Sequence, residues 1–341
     1  MKKKALHFLR IAVTTALLVY VFHQAGLLSA KGWQDLAGTF SRANLWLILI
    51  SILLVPIIDI VSSIKWYCLA RAVGLPVGLW RLYAYYLIGG FFNLVLPSSI
   101  GGDFIRIHEL SRYTGRYAES AAVVFVERFS GLAMLVFLAA IAVVVNLQMF
   151  NLPWLTVTLT IGLLGVALIC WVIIDARPFN FIDKNLGSRL PLIAAFLKKL
   201  GKFRTAVLVY KDKPGALWVA VFNSLVFYFL AVVNVWVSAA AFDSSISFVS
   251  MLVAVPVIMF IMNLPISIGG IGLMESAYSF TLSLFGVNPA VAISTALFMR
   301  LKTLITAGMG SLAYPLVSEG MGSPQQLAQS INRPYKDDTR S

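Results

Sequence analysis

The sequence predicts an all-α polytopic membrane protein, an inverted repeat of two halves with about six full spans plus two re-entrant helical hairpins. Three observations predict it. The 341 residues are 60% hydrophobic and only 12% charged, with a mean hydropathy of +0.87. Soluble domains lie nearer about 45–50% apolar and about 25% charged. Stretches of roughly 20 apolar residues, enough to cross about 30 Å of hydrocarbon, recur along the chain. Finally, Pro-Ser-Ser-Ile-Gly-Gly at Pro97 returns as Pro-Ile-Ser-Ile-Gly-Gly at Pro265, matching at five of six positions.

The predicted spans are 10–28, 43–64, 120–147, 153–174, 214–240 and 289–316. The opening MKKKALHFLRIAVTTALLVYVF has the layout of a signal peptide. The cleavage site after it is weak and further spans follow, so it reads as a retained first span. Regions 82–117 and 247–286 are each long enough for two short helices, and each is cut by one of the Pro-Ser-Gly breaks.

Lysine and arginine set the orientation. The net charge is +13, with clusters at Lys2, Lys3 and Lys4 and between Arg177 and Lys213. These flank spans, which excludes nucleic acid as the natural partner. Placing Lys65, Arg71, Arg81, Arg112 and Arg116 inside makes both termini cytoplasmic, as in a multi-pass protein of the cell inner membrane. Region 247–286 has no Lys or Arg, which suits the outer side. Residues 190–204 alternate apolar and basic positions at helical spacing and read as an amphipathic helix on anionic inner-leaflet lipids. The chain then divides into a first membrane repeat (1–150), a second (151–317, including loop 175–213) and a flexible cytoplasmic tail (318–341).

The repeat extends beyond the hexapeptide. The two prolines are 168 residues apart, and the same offset carries span 43–64 onto 214–240 and span 120–147 onto 289–316. Three crossings per half force opposite orientations, and inverted repeats with broken helices place a substrate site at their interface. Unpaired backbone groups cost several kcal/mol in lipid, so such breaks belong where protein or a wet cavity covers them. Proline ends one helix, glycine turns the chain, and the next helix presents free N–H groups suited to a phosphate or carboxylate.

Charges inside apolar segments need partners, because each costs roughly 2.5–3.5 kcal/mol at a helix centre. Asp103, Arg106, Glu127, Arg128, Glu275 and Arg300 cluster with the breaks and read as functional. Asp59 and Lys302 read as structural ion pairs or snorkelling ends. Trp66, Trp80, Tyr83, Tyr85, Tyr86 and Trp154 read as interfacial belt residues. Cys68 and Cys170 read as buried thiols. His7, His23 and His108 are scattered, so neither a metal nor a cofactor is expected.

NLVLPSSIGGDFIRIHELSRYTGRYAESAAVVFVERFSGL resembles the first signature of the lysylphosphatidylglycerol synthase transmembrane, or flippase-like, family. LPISIGGIGLMESAYSFTLSLFGVNPAVAISTALFMR resembles its second. The family includes the membrane domain of the bacterial multiple peptide resistance factor, which moves aminoacylated phosphatidylglycerol between leaflets. The resemblance implies a lipid translocase for an anionic, aminoacylated or lipid-linked headgroup, without the soluble aminoacyl-transferase domain. Arg106, Arg128 and Arg300 would hold the lipid phosphate. Asp103, Glu127 and Glu275 would orient them or receive an ammonium. Asn93, Pro97, Gly101, Gly102, Asn263, Pro265, Gly269 and Gly270 would shape the cavity. Two other readings stay open: a membrane-embedded lipid-headgroup transferase, and a non-transporting scaffold of a lipid-synthesis complex. A lipid-synthesis enzyme or a second copy of the chain is the expected protein partner.

Overall fold

A computed structural model describes residues 29–95, 101–145, 152–175, 203–243, 245–264 and 269–318, with single positions at 15, 16, 19, 20, 23, 201 and 267. Most of the first predicted span, Pro97, Pro265, nearly all of the amphipathic segment 190–204 and the tail beyond 318 lie outside the described residues.

Helix α1 (Ala30–Ser41) is capped by Ser29, whose hydroxyl accepts from Gly32 N. Helix α2 (Leu45–Ala72) starts at Asn44, whose Oδ1 accepts from Trp46 N and Leu47 N. Helices α3 (Leu79–Val95) and α4 (Gly101–Thr114) flank the first break, and α5 (Tyr117–Val145) follows. The second half runs through α6 (Pro153–Ile174), α7 (Pro214–Ala240), α8 (Phe248–Met262), α9 (Leu273–Leu284) and α10 (Pro289–Ser318).

Among the described residues, five helices are long and apolar enough to cross a membrane: α2, α5, α6, α7 and α10. They fall on the last five predicted spans. Leu45, Leu53, Phe137, Ile161, Phe222 and Leu316 are among the large apolar side chains left exposed on them. In a membrane protein that apolar surface faces lipid tails.

Helix α2 is longer than its predicted span. It continues to Ala72, so Lys65 is not a loop charge as its orientation role assumed. It is buried one helical turn from Leu69, and the inside-positive argument on this face rests on Arg71, Arg81, Arg112 and Arg116.

The pair α3–α4 is a hairpin. At its tip, Asn93 Oδ1 accepts from Gly102 N at 2.8 Å. At its base, the Arg81 guanidinium lies 3.9 Å from the Tyr113 ring, joining the start of α3 to the end of α4. Arg116 ties the same base to the end of α2 through the carbonyls of Val73 and Gly74. The chain therefore enters and returns on one side, each arm only about 21–26 Å long at 1.5 Å per residue. Gly102 permits it, since a Cβ there would sit 2.0 Å from the Gly89 carbonyl oxygen.

Contacts among α2, α3, α4 and α5 are repeated among α7, α8, α9 and α10. Helix α2 meets α3 and α5 as α7 meets α8 and α10; α3 meets α4 as α8 meets α9; α4 meets α5 as α9 meets α10. Across the halves α3 packs on α10 as α8 packs on α5, and α2 packs on its own counterpart α7. Among these eight helices, each of these contacts maps to another or to itself when the halves are exchanged, as two-fold pseudosymmetry requires. Two apolar cores result, one around α2–α5 and one centred on α8 and α9. Beside the first, Tyr210 donates to the Leu69 carbonyl at 2.9 Å, and burial pushes its phenol up from the ordinary value.

Candidate functional site

Two arginines, one from each half, open on a single cavity. It measures about 320 Å³ and is lined by Asn93 and Leu94 beside the first break and by Asn263, Ser267, Gly269 and Gly270 around the second. Arg128 of α5 and Arg300 of α10 complete its polar wall. The breaks adjoin here, since a Cβ on Gly269 would lie 3.2 Å from the Leu94 carbonyl oxygen. Asn263 turns its Nδ2 back onto the Met259 carbonyl. Ser267 Oγ is buried with no hydrogen-bond partner among the described residues.

Behind Arg128 lies a chain of ion pairs. Its Nε donates to Asp103 Oδ1 at 2.8 Å. The same oxygen accepts from Arg106 Nη1 at 3.2 Å, and Arg106 Nη2 reaches Glu127 Oε2 at 3.0 Å. Glu127 Oε1 holds Lys65 at 3.4 Å, and Lys65 also donates to Ser224 of α7. Asp103 sits in the first turn of α4, where the helix dipole favours a carboxylate. Three cations thus meet two carboxylates. The unmatched charge emerges at Arg128, whose side chain is 45% exposed, whereas that of Arg106 is 1% exposed.

Arg106 does not line the cavity. Its guanidinium lies 4.1 Å from the Trp66 ring and 5.1 Å from the Tyr86 ring, stacking that disperses a buried cation's charge. Gly89 makes room for it, since a Cβ there would fall 2.8 Å from its Cδ. Gly101 and Gly102 open α4 beside it. Glu127 is buried with it and also stays out of the cavity wall.

The second half is simpler. Arg300 Nε meets Glu275 Oε1 at 2.8 Å, and its Nη atoms donate to the carbonyls of Gly269 (3.2 Å) and Gly270 (2.6 Å). Glu275 Oε2 accepts from Gly272 N at 2.9 Å, fixing the turn to the start of α9. Gly269, Gly270 and Gly272 have φ of 58°, 69° and 75°, which side chains with a Cβ rarely adopt. These angles aim consecutive carbonyls at one guanidinium.

The structure therefore gathers Asn93, Arg128, Asn263, Gly269, Gly270 and Arg300 around the cavity. It sets Asp103, Arg106, Glu127 and Glu275 behind it, and Pro97 and Pro265 lie outside the described residues. Sequence reasoning missed Lys65, Trp66, Tyr86 and Thr303. Trp66 and Tyr85 are not belt residues: both are fully buried, whereas Trp80 and Trp154 are exposed. A lysine followed by tryptophan late in an apolar helix was the available signal.

Comparisons with known proteins agree with this architecture. A UPF0104 membrane protein of Methanothermobacter thermautotrophicus is 22% identical over 320 residues, covering 88% of this chain and 94% of that one. No solved structure matches the chain. Residues 7–309, taking in every helix above except the end of α10, match the lysylphosphatidylglycerol synthase TM region, and the chain belongs to that family of multi-pass membrane proteins.

Proposed function

We propose that the protein moves an anionic lipid between the two leaflets of the cytoplasmic membrane, holding the headgroup phosphate between Arg128 and Arg300. The observation that carries this reading is the shared cavity: each half contributes one break and one arginine. Guanidinium offers a planar fork of donors to phosphate oxygens. Among the described residues Arg128 bonds through its Nε alone, to Asp103, and its terminal nitrogens are the donors offered to the guest. A site built equally by both halves is what rocking of one half against the other would expose to each leaflet in turn.

A headgroup transferase needs a general base within reach of the substrate. The cavity wall contains two arginines and two asparagines but no carboxylate among the described residues. Asp103, Glu127 and Glu275 are each occupied by cations. That distribution favours translocation over group transfer. Arg71, Arg81, Arg112 and Arg116 gather around the base of the first hairpin, which we place on the cytoplasmic side with both chain ends.

The test is reconstitution in liposomes with headgroup-labelled phosphatidylglycerol and a membrane-impermeant quencher. Arg128→Ala and Arg300→Ala should each slow exchange by about tenfold or more, the weight of one charge-assisted contact. Both should remain monodisperse in detergent. Exchange at the unaltered rate in both variants would overturn the assignment.

A further inference from the structure

The charge that the cavity offers a guest depends on what each arginine has already spent. A guanidinium carries five N–H groups. Arg300 uses four of them, two on Glu275 and one each on the carbonyls of Gly269 and Gly270. Its charge is matched one to one by Glu275. In the first half Lys65, Arg106 and Arg128 share only Asp103 and Glu127. The two networks together therefore hold one uncompensated positive charge, and it surfaces at Arg128. Lys302, two residues beyond Arg300, adds nothing to it. That side chain turns into a cage of neutral oxygens, Ser51 Oγ at 2.7 Å, Asn234 Oδ1 at 2.6 Å and Ser238 Oγ at 2.9 Å. It is thus a caged cation, not the ion-paired or snorkelling end that its place in the sequence suggests.

The neutral groups of the wall differ between the halves. Asn93 accepts from Gly102 N through Oδ1, so the group it has to offer is its Nδ2 donor. Asn263 gives its Nδ2 to the Met259 carbonyl, and Thr303 gives its hydroxyl proton to the Met299 carbonyl at 3.0 Å. What these two present is acceptor oxygen, Asn263 Oδ1 and the lone pairs of Thr303 Oγ1. The first half therefore supplies donors suited to an anion, and the second supplies neutral acceptors suited to hydroxyl groups. Among the described residues no carboxylate lines the cavity. The stretches that join the two breaks, 96–100 and 265–268, contain no acidic residue either.

We propose that the site selects a phosphodiester lipid whose headgroup beyond the phosphate is an uncharged polyol, and excludes headgroups that carry an ammonium; this rests on the translocase reading above. One phosphodiester charge cancels the one uncompensated charge of the wall. A zwitterionic headgroup leaves that charge in place, and a lysylated one raises it. Charge taken out of water is costly unless it is paired. Lys302 shows what an ammonium takes here without a carboxylate: three oxygens within 2.9 Å. A headgroup ammonium in the cavity would instead stand beside two guanidiniums. The phosphate accordingly sits on Arg128 and Asn93, with the one N–H that Arg300 has left, and the hydroxyls of the headgroup turn to Asn263 and Thr303.

The test places the full chain in phosphatidylcholine vesicles and follows four lipids labelled on an acyl chain, so that each headgroup is native. Phosphatidylglycerol and phosphatidylinositol are the polyol phosphodiesters, one linear and one cyclic; phosphatidylethanolamine and lysylphosphatidylglycerol carry ammonium groups. At least one polyol lipid should exchange about tenfold or more faster than either ammonium lipid, the weight of one charge-assisted contact. Asn93→Asp keeps an oxygen on Gly102 N while adding a carboxylate to the wall, so it should bring the polyol-to-ammonium ratio of rates down toward one. The four lipids on the unaltered chain decide the matter even if that variant fails to fold. Exchange of an ammonium lipid as fast as both polyol lipids would overturn the headgroup assignment and leave the translocase reading intact. So would an unchanged ratio in a monodisperse Asn93→Asp. No exchange of any of the four would remove the translocase reading, and the selectivity with it.

Discussion

Arg128 and Asp103, 25 residues apart in sequence, meet Nε to Oδ1 at 2.8 Å. Arg300 and Glu275 are also 25 residues apart and meet Nε to Oε1 at the same distance. Each pair joins the second arm of a hairpin to the long helix that follows it. The pair is the repeated chemical unit of the protein, and the cavity lies between its two copies.

The two members of a pair should act with opposite sign. Arg128→Ala removes a phosphate donor and should weaken binding of a short-chain phosphatidylglycerol. Asp103→Asn removes a competing carboxylate and leaves the wall more positive, so it should tighten binding by about three- to tenfold, the range left after solvent screening at a half-exposed site. Titration of detergent-purified protein with the soluble lipid measures both. Weaker binding in Asp103→Asn would mean that the carboxylate serves chiefly to position Arg128.

Much of this was legible in the sequence, for physical reasons. Five spans are uniform apolar runs, and the breaks stand out because proline and paired glycines interrupt them. The pairing was not legible. Offset by 168 residues, Gly101 and Gly102 fall on Gly269 and Gly270, but Asp103 falls on Ile271. The true counterpart, Glu275, is 172 residues on, because Ile271–Met274 are inserted between glycine and acid. The insertion adds Gly272, a third left-handed glycine after Gly269 and Gly270, whose carbonyls meet Arg300. Nor does spacing reveal that Arg106 faces inward onto Trp66, since that depends on where α4 crosses α2.

The buried triad of Lys65, Glu127 and Arg106 gives a ranked stability prediction. Glu127→Gln leaves Lys65 buried without its carboxylate and Arg106 with Asp103 as its remaining one. Breaking a buried pair in this way costs about 3–5 kcal/mol. Lys65→Met leaves Arg106 and Glu127 paired one to one and should cost clearly less. Thermal unfolding in one detergent should order the midpoints as unaltered, then Lys65→Met, then Glu127→Gln. The reverse order of the two variants would show that Lys65 is the more important partner.

Gly102→Ala should open the first hairpin. Its Cβ would meet the backbone oxygen of Gly89 at 2.0 Å and the Asn93 side chain at 2.7 Å. Backbone cannot yield as a flexible side chain can, so the arms must separate and the Asn93–Gly102 hydrogen bond is lost. We expect a fall in unfolding midpoint larger than that of Asn93→Ala, which removes only the capping bond at about 1 kcal/mol. Equal midpoints for the two would place the hairpin's rigidity in the capping bond.

Thr303 lines the cavity from α10, one turn beyond Arg300. A cysteine there reports whether the site is wet and whether an anionic lipid fills it. In Thr303→Cys with Cys68 and Cys170 replaced by serine, a small charged methanethiosulfonate should react at a rate set by water access to the cavity. Because the wall carries uncompensated positive charge, a negatively charged reagent should react faster than a positively charged one of the same size. Added phosphatidylglycerol should slow both, whereas a zwitterionic lipid of equal chain length should not. Arg128→Ala in the same background should abolish the preference for the negative reagent. If the positive reagent reacted faster, the buried carboxylates and not the arginines would set the potential of the site, and a cationic headgroup would become its guest.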